Sequence, residues 1–146
     1  MLTFKVVGSL ILLFLPAFAL PVAADEDEQR LFVNLTSDEL DRAAMAIGFG
    51  TKVLQEKKIP VTIFLNVDGV RLADKNIPQN KYVTGNTPQQ MLQKFMESGG
   101  RVIICPMCMK NVGGMGKDDL IEGVEMGGPQ VTWPALFDEY VTVLSY

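Results

Sequence analysis

The chain holds two cysteines, and both fall in one segment, RVIICPMCMKNVGGM at residues 101–115. That segment begins as a short apolar run, 102–104, rich in β-branched residues, the signature of a strand buried on both faces. Pro106 follows Cys105 directly. Proline has a fixed φ and no N–H to donate, so it suits the first position of a helix. Gly113 and Gly114 then supply a stop. The spacing predicts a strand, Cys105 near a helix N-cap, and Cys108 in the first turn. In open α/β sheets ligands bind at the carboxyl ends of strands. The positive end of a helix also stabilises a thiolate. Function is therefore to be sought at this junction.

The flanking sequence repeats the alternation. Residues 31–35 and 61–65 read as strands, 123–126 as a weaker one and 141–144 as the last. Thr36 and Glu39 have capping-box spacing ahead of a helix expected to reach about Lys58, with Leu40, Ala44, Ile47, Thr51 and Leu54 on its inner stripe. Gly48 and Gly50 lower helix propensity there, which predicts close packing on the sheet. Thr87, Pro88 and Gln90 mark a second helix start, with Met91, Leu92, Phe95 and Met96 facing inward. Residues 75–86 read as a long loop, 117–121 as a short helix, and Thr132 as the cap of a last helix. Strands alternating with helices predict a mainly parallel sheet with helices on both faces.

The first 24 residues stand apart. Lys5 precedes an apolar run over 6–15, and Val22-Ala23-Ala24 leads into Asp25-Glu-Asp-Glu28. Small residues at the −3 and −1 positions predict a cleaved signal peptide over 1–24, with Ala19 as the alternative cut. The run is short for a membrane span, which takes roughly 20 apolar residues. The expected mature chain is 25–146, periplasmic or secreted and free of the membrane.

Composition narrows the chemistry. The chain has no histidine, which removes Ser-His-Asp and Cys-His catalysis and imidazole metal sites. Its net charge is −4 with no basic cluster, so nucleic acid is not an expected partner. No phosphate loop or dinucleotide fingerprint is present.

Taken with these features, the chain resembles the DsrE/DsrF-like family of sulfur-relay proteins, whose members include some labelled "predicted peroxiredoxin". The likeness is carried by residues 41–50, by 61–70, and by Val102-Ile-Ile-Cys105 with Cys108, Met109 and Gly113. It implies a three-layer α/β/α sandwich with a five-stranded sheet, assembly as a homo-oligomer, and a cysteine at Cys105 that carries a persulfide. It also implies a sulfur donor or acceptor protein as partner. The sequence departs from the single-cysteine relay pattern by adding Cys108.

Three readings of the cysteines compete. In the first, Cys105 and Cys108 are a reactive dithiol for sulfur transfer or redox exchange, Cys105 attacking and Cys108 resolving, with no cofactor. In the second, Cys105, Cys108, Met109 and Met115 hold Cu(I), which thiolate and thioether ligands select. Four of the eight methionines lie between 107 and 126, although plain core filling accounts for methionine equally well. In the third, the cysteines are structural; a four-residue disulfide loop would add little stability. The residues do not decide between an enzyme and a carrier.

Overall fold

The apolar runs form the strands expected of them. The computed structural model describes residues 29–146, so the expected leader over 1–24 lies outside the described residues. Five strands, β1 (Arg30–Leu35), β2 (Val61–Leu65), β3 (Arg101–Ile104), β4 (Glu125–Met126) and β5 (Val141–Ser145), make one sheet in the order β4-β3-β2-β1-β5. Every pairing is parallel. Four helices connect them: α1 (Leu40–Lys52), α2 (Pro88–Glu97), α3 (Pro106–Asn111) and α4 (Pro129–Leu136).

Strand periodicity divides the core. Leu31, Val33 and Leu35 of β1, with Val61, Ile63 and Leu65 of β2, point to one face and pack with Ala43, Ala46 and Ile47 of α1 and Leu92 and Phe95 of α2. Phe32 and Ile103 point the other way and are also buried. The chain steps in one direction through β1 to β4, then crosses back through α4 to β5. Right-handed crossovers place α1, α2 and α3 on one face and α4 on the other. That is the expected three-layer α/β/α sandwich with a fully parallel five-stranded sheet. Among the described residues, no helix is long and apolar enough to cross a membrane.

Several local expectations differ. Thr87 forms its capping box with Gln90, but Thr36 does not form one with Glu39, and α1 starts from Glu39 without a side-chain cap. The Thr36 hydroxyl instead donates to the Tyr146 carbonyl at 2.7 Å, beside the Thr36 N–H at 2.9 Å. Pairing to the end of β5 has taken the side chain. Thr132 does not cap α4 either. The helix begins earlier, from Gly128, and Thr132 Oγ1 accepts the Gly128 N–H at 3.1 Å. Of the two α1 glycines, Gly50 packs under Val61, Ile63 and Phe95, whereas Gly48 has no neighbour in the space a Cβ would fill. The helix ends in a wider π-helical turn, Val53–Lys57, closed by Lys58 in the left-handed conformation.

Candidate dithiol site

Cys105 is where the sheet becomes helix. Its N–H donates to Leu65 O at 2.9 Å, continuing the β2–β3 ladder, and its carbonyl accepts the Met109 N–H at 2.8 Å, opening α3. Cys105 is thus the N-cap and Pro106 takes the first helical position. The Cys105 sulfur accepts the Cys108 N–H at 3.4 Å, the place a serine or aspartate oxygen fills in other caps. α3 is short and its end is fixed: Val112 and Gly113 donate to Cys108 O, Met115 donates to Met109 O, and Gly114 turns at φ +67°.

Both cysteines are free thiols and half-buried. Burial pushes the Cys108 thiol above its ordinary range; the Val67 N–H opposes this, while the hydrogen bond and charge of the Cys105 sulfur reinforce it.

Met109 and Met115 lie in the core cluster, 7% and 5% exposed, and the Cys108 side chain packs against that cluster. Met107, two residues before Met109, is 68% exposed and points to solvent. Among the described residues, no group of three or more Cys, Asp or Glu side chains is gathered for a metal ion.

The segment after β2 is the part of the site that motif reading missed. It runs Asn66, then a 3-10 helix over Val67–Ala73 that packs against α3. The Asn66 amide donates to the Asn34 side chain, which donates in turn to Ser145, so a polar string crosses the ends of β2, β1 and β5. Arg71 pairs with Asp68 and Asp38 and donates to Val112 O at 3.2 Å, fastening the end of α3 to this segment. The sequence marks Asp68 and Gly69 as a loop and residues 70–74 as a short helical turn, and nothing in it ties them to the cysteines. Asn66 and Val67 sit beside Cys105 and Cys108 through register and packing, which no spacing rule encodes. A neighbouring open cleft of about 220 Å³ is walled by Arg71, Leu40, Leu72, Ile77 and Pro78.

A second surface is apolar. Trp133, Phe137, Tyr140 and Val143 are exposed. They lie on α4, on the edge strand β5 and on the turn that joins them.

Comparison with known proteins gives three findings. The sequence pattern of the DsrE/DsrF-like family matches residues 33–144. The fold is similar to that of the YchN protein of E. coli, at 20% identity, covering 81% of this chain and 99% of that one, with a TM-score of 0.66. It is similar also to MTH1491 of Methanobacterium thermoautotrophicum, a protein of unknown function, at 16% identity and the same coverage, with a TM-score of 0.64. A comparison with curated proteins gives no match.

Proposed function

Because the chain belongs to the DsrE/DsrF-like family, in general one of sulfur relay with partner proteins, we propose that it is a sulfur carrier or thiol-redox protein working through Cys105 and Cys108. One observation supports this most: the Cys105 sulfur, at the carboxyl edge of the sheet, accepts the Cys108 N–H. An N–H donor stabilises a thiolate, the attacking species, and places the second thiol within disulfide reach. Cys105 takes up sulfur or forms a mixed disulfide, and Cys108 resolves it. Mass spectrometry of the purified protein under argon, before and after polysulfide, tests this. Added sulfur that persists on Cys108→Ser, a Cys105–Cys108 disulfide in the wild type, and neither on Cys105→Ser, is expected. Loading that survives Cys105→Ser refutes it.

The proposal extends to place and assembly. The leader expected over 1–24 would deliver the protein to the periplasm or the exterior, where a C-x-x-C pair meets oxidising partners. The exposed aromatic residues of α4 and of the turn into β5 are of the types that interface cores favour, and this is the surface proposed for self-association. Ile77 and Val83, exposed on the long loop, offer a second contact region.

A Cu(I)-binding role is the second reading, favoured by the contact of Cys108 with the cluster that contains Met109 and Met115. It requires those two side chains to leave the core. Anaerobic Cu(I) titration against a chelator tests it, and affinity unchanged by Cys108→Ser would end it.

A further inference from the structure

One buried polar atom is left over where β2 ends. Asn66 N donates to Leu35 O, and Asp68 N and Gly69 N both donate to Thr36 O, each at 3.1 Å. These bonds seat the turn on the end of β1 and hold Val67, between them, at φ +49°, a left-handed conformation that β-branched residues rarely take. The Asn66 carbonyl accepts the Gly69 N–H at 3.0 Å, and the side-chain nitrogen donates to Asn34 Oδ1. The side-chain oxygen, Oδ1, is buried and has no hydrogen-bond partner in the chain; among the described residues it is the only buried side-chain nitrogen or oxygen in that state. Leaving such an atom unpaired costs stability, so it calls for a reason. Register supplies one. Leu65 pairs with Ile104, and the Cys105 N–H to Leu65 O carries the ladder one residue further, so Asn66 and Cys105 are neighbours on adjacent strands. Leu65 and Ile104 lie in the core cluster with α1 and α2. Asn66 and Cys105 are both extended, so each alternates to the opposite face, the one that Asn34 shares. With its nitrogen committed to the β1 side, the Asn66 amide has only its oxygen to offer the β3 side.

We propose that Asn66 Oδ1 accepts the terminal S–H of a persulfide on Cys105 and so keeps the proton on the sulfur that is to leave. This rests on the dithiol reading given above. An S–S bond is about 2 Å long and adjacent strands stand about 4.8 Å apart, so a second sulfur on Cys105 extends to within reach of the neighbouring strand's side chain. The proton matters to the chemistry, because a persulfide is a stronger acid than a thiol. Attack on the inner sulfur of its anion would have to expel sulfide dianion, whereas the neutral form expels hydrosulfide. In the step, the Cys108 thiolate forms a bond to the Cys105 sulfur, the Cys105 S–S bond breaks, and the outer sulfur departs with the electron pair and its proton as hydrosulfide. A Cys105–Cys108 disulfide remains. The outer sulfur is reduced and Cys108 oxidised, so no external oxidant is needed. An acceptor oxygen binds the neutral persulfide and has no donor for the anion. A mixed disulfide carries no S–H, so the same oxygen favours sulfur release over thiol exchange. The charged groups near the turn are Asp68, Arg71 and Asp38, which pair among themselves, and Lys110, exposed on α3. On the other face α4 carries no charged residue, and Glu125 of β4 pairs with Arg101.

The test is single-turnover mixing of the full chain with polysulfide under argon, quenched with an alkylating agent and read by mass spectrometry. Persulfide and disulfide forms differ in mass, so loading of Cys105 and resolution by Cys108 are followed separately. The rate of resolution is expected to rise to a plateau as pH passes the range where the persulfide ionises, and to fall beyond that of Cys108. Asn66→Leu removes the acceptor. Its acid limb is expected to move down by about one pH unit and its plateau to fall about tenfold, the scale of one hydrogen bond. Below the acid limb its rate is expected to rejoin that of the wild type, because both persulfides are neutral there. Asn66→Asp, which keeps an oxygen, is expected to hold the plateau. An unchanged profile in Asn66→Leu, or equal slowing at every pH, overturns the proposal. Should Asn66→Leu not fold, Cys108→Ser, which retains its persulfide, decides. The resonance of the Asn66 side-chain carbonyl carbon is expected to move downfield on loading, and a resonance that stays in place overturns the proposal. A wild type that never loads at Cys105 overturns the dithiol reading and this proposal with it, whereas loading followed by resolution indifferent to Asn66 overturns this proposal alone.

Discussion

Two glycine-to-alanine changes in this chain are expected to have opposite signs. Gly69 lies in the turn seated on β1, and a Cβ there would overlap the Leu35 carbonyl oxygen and crowd its carbon. A backbone oxygen cannot rotate aside as a side chain can. Overpacking of this kind typically costs about 1–3 kcal/mol. Gly69→Ala would also stretch the N–H bonds from Asp68 and Gly69 to Thr36 O, each worth about 0.5–1.5 kcal/mol. The expected loss is about 3 kcal/mol, or roughly 10 °C in Tm for a domain of this size. Gly48 occupies the middle of α1 with open space where its Cβ would stand. Gly48→Ala removes unfolded-chain freedom and improves helix propensity, for an expected gain of about 0.5–1 kcal/mol. Urea denaturation followed by circular dichroism, in one reducing buffer, measures both. A Gly69→Ala variant within about 0.5 kcal/mol of the wild type refutes the seating of the turn on β1.

Other outcomes follow from the same structure. The raised Cys108 pKa means that the folded chain binds that proton more tightly than the unfolded chain does. Its stabilisation is therefore full below the ordinary thiol value, near pH ~8.5, and fades as pH rises through the folded value; urea midpoints across that window are expected to fall less in Cys108→Ser. Trp133 is the single tryptophan and is 57% exposed, so self-association through α4 and β5 is expected to shift its emission to the blue as concentration rises. Unchanged emission with a monomer in sedimentation equilibrium would sink that interface. N-terminal sequencing of the exported protein is expected to begin at Asp25, and a retained Met1 in membrane fractions counts against cleavage.

Local signals in the sequence were legible where one segment decides the outcome. Residues 61–65 form β2 as expected, and the Cys105–Pro106 step is the cap and first position of α3. Thr87 makes its box because both partners lie within one turn. Thr36 carries the same motif and fails, because the carbonyl of Tyr146, just past β5 and 110 residues away, competes for its hydroxyl. Gly48 and Gly50 look alike in sequence, and only the sheet beneath separates them. Val67 was illegible for a stronger reason. Valine in a left-handed turn contradicts its own propensity, so only the bonds from its neighbours to β1 reveal why the chain turns there. The fold could be read from periodicity, Cys105 and Cys108 from their junction, and the opposite wall of the site from neither.

The fully parallel sheet has a practical consequence for anyone attaching a tag or probe. Because β5 runs alongside β1, the chain leaves Tyr146 at the same edge of the sheet as Cys105, with the Tyr146 carbonyl already engaged by Thr36. Anything fused after Tyr146 emerges on the edge that carries Cys105, three strands along from it. A fusion ahead of β1 starts from the opposite edge, about 20 Å away across the six residues of that strand, and leaves the cysteine edge clear.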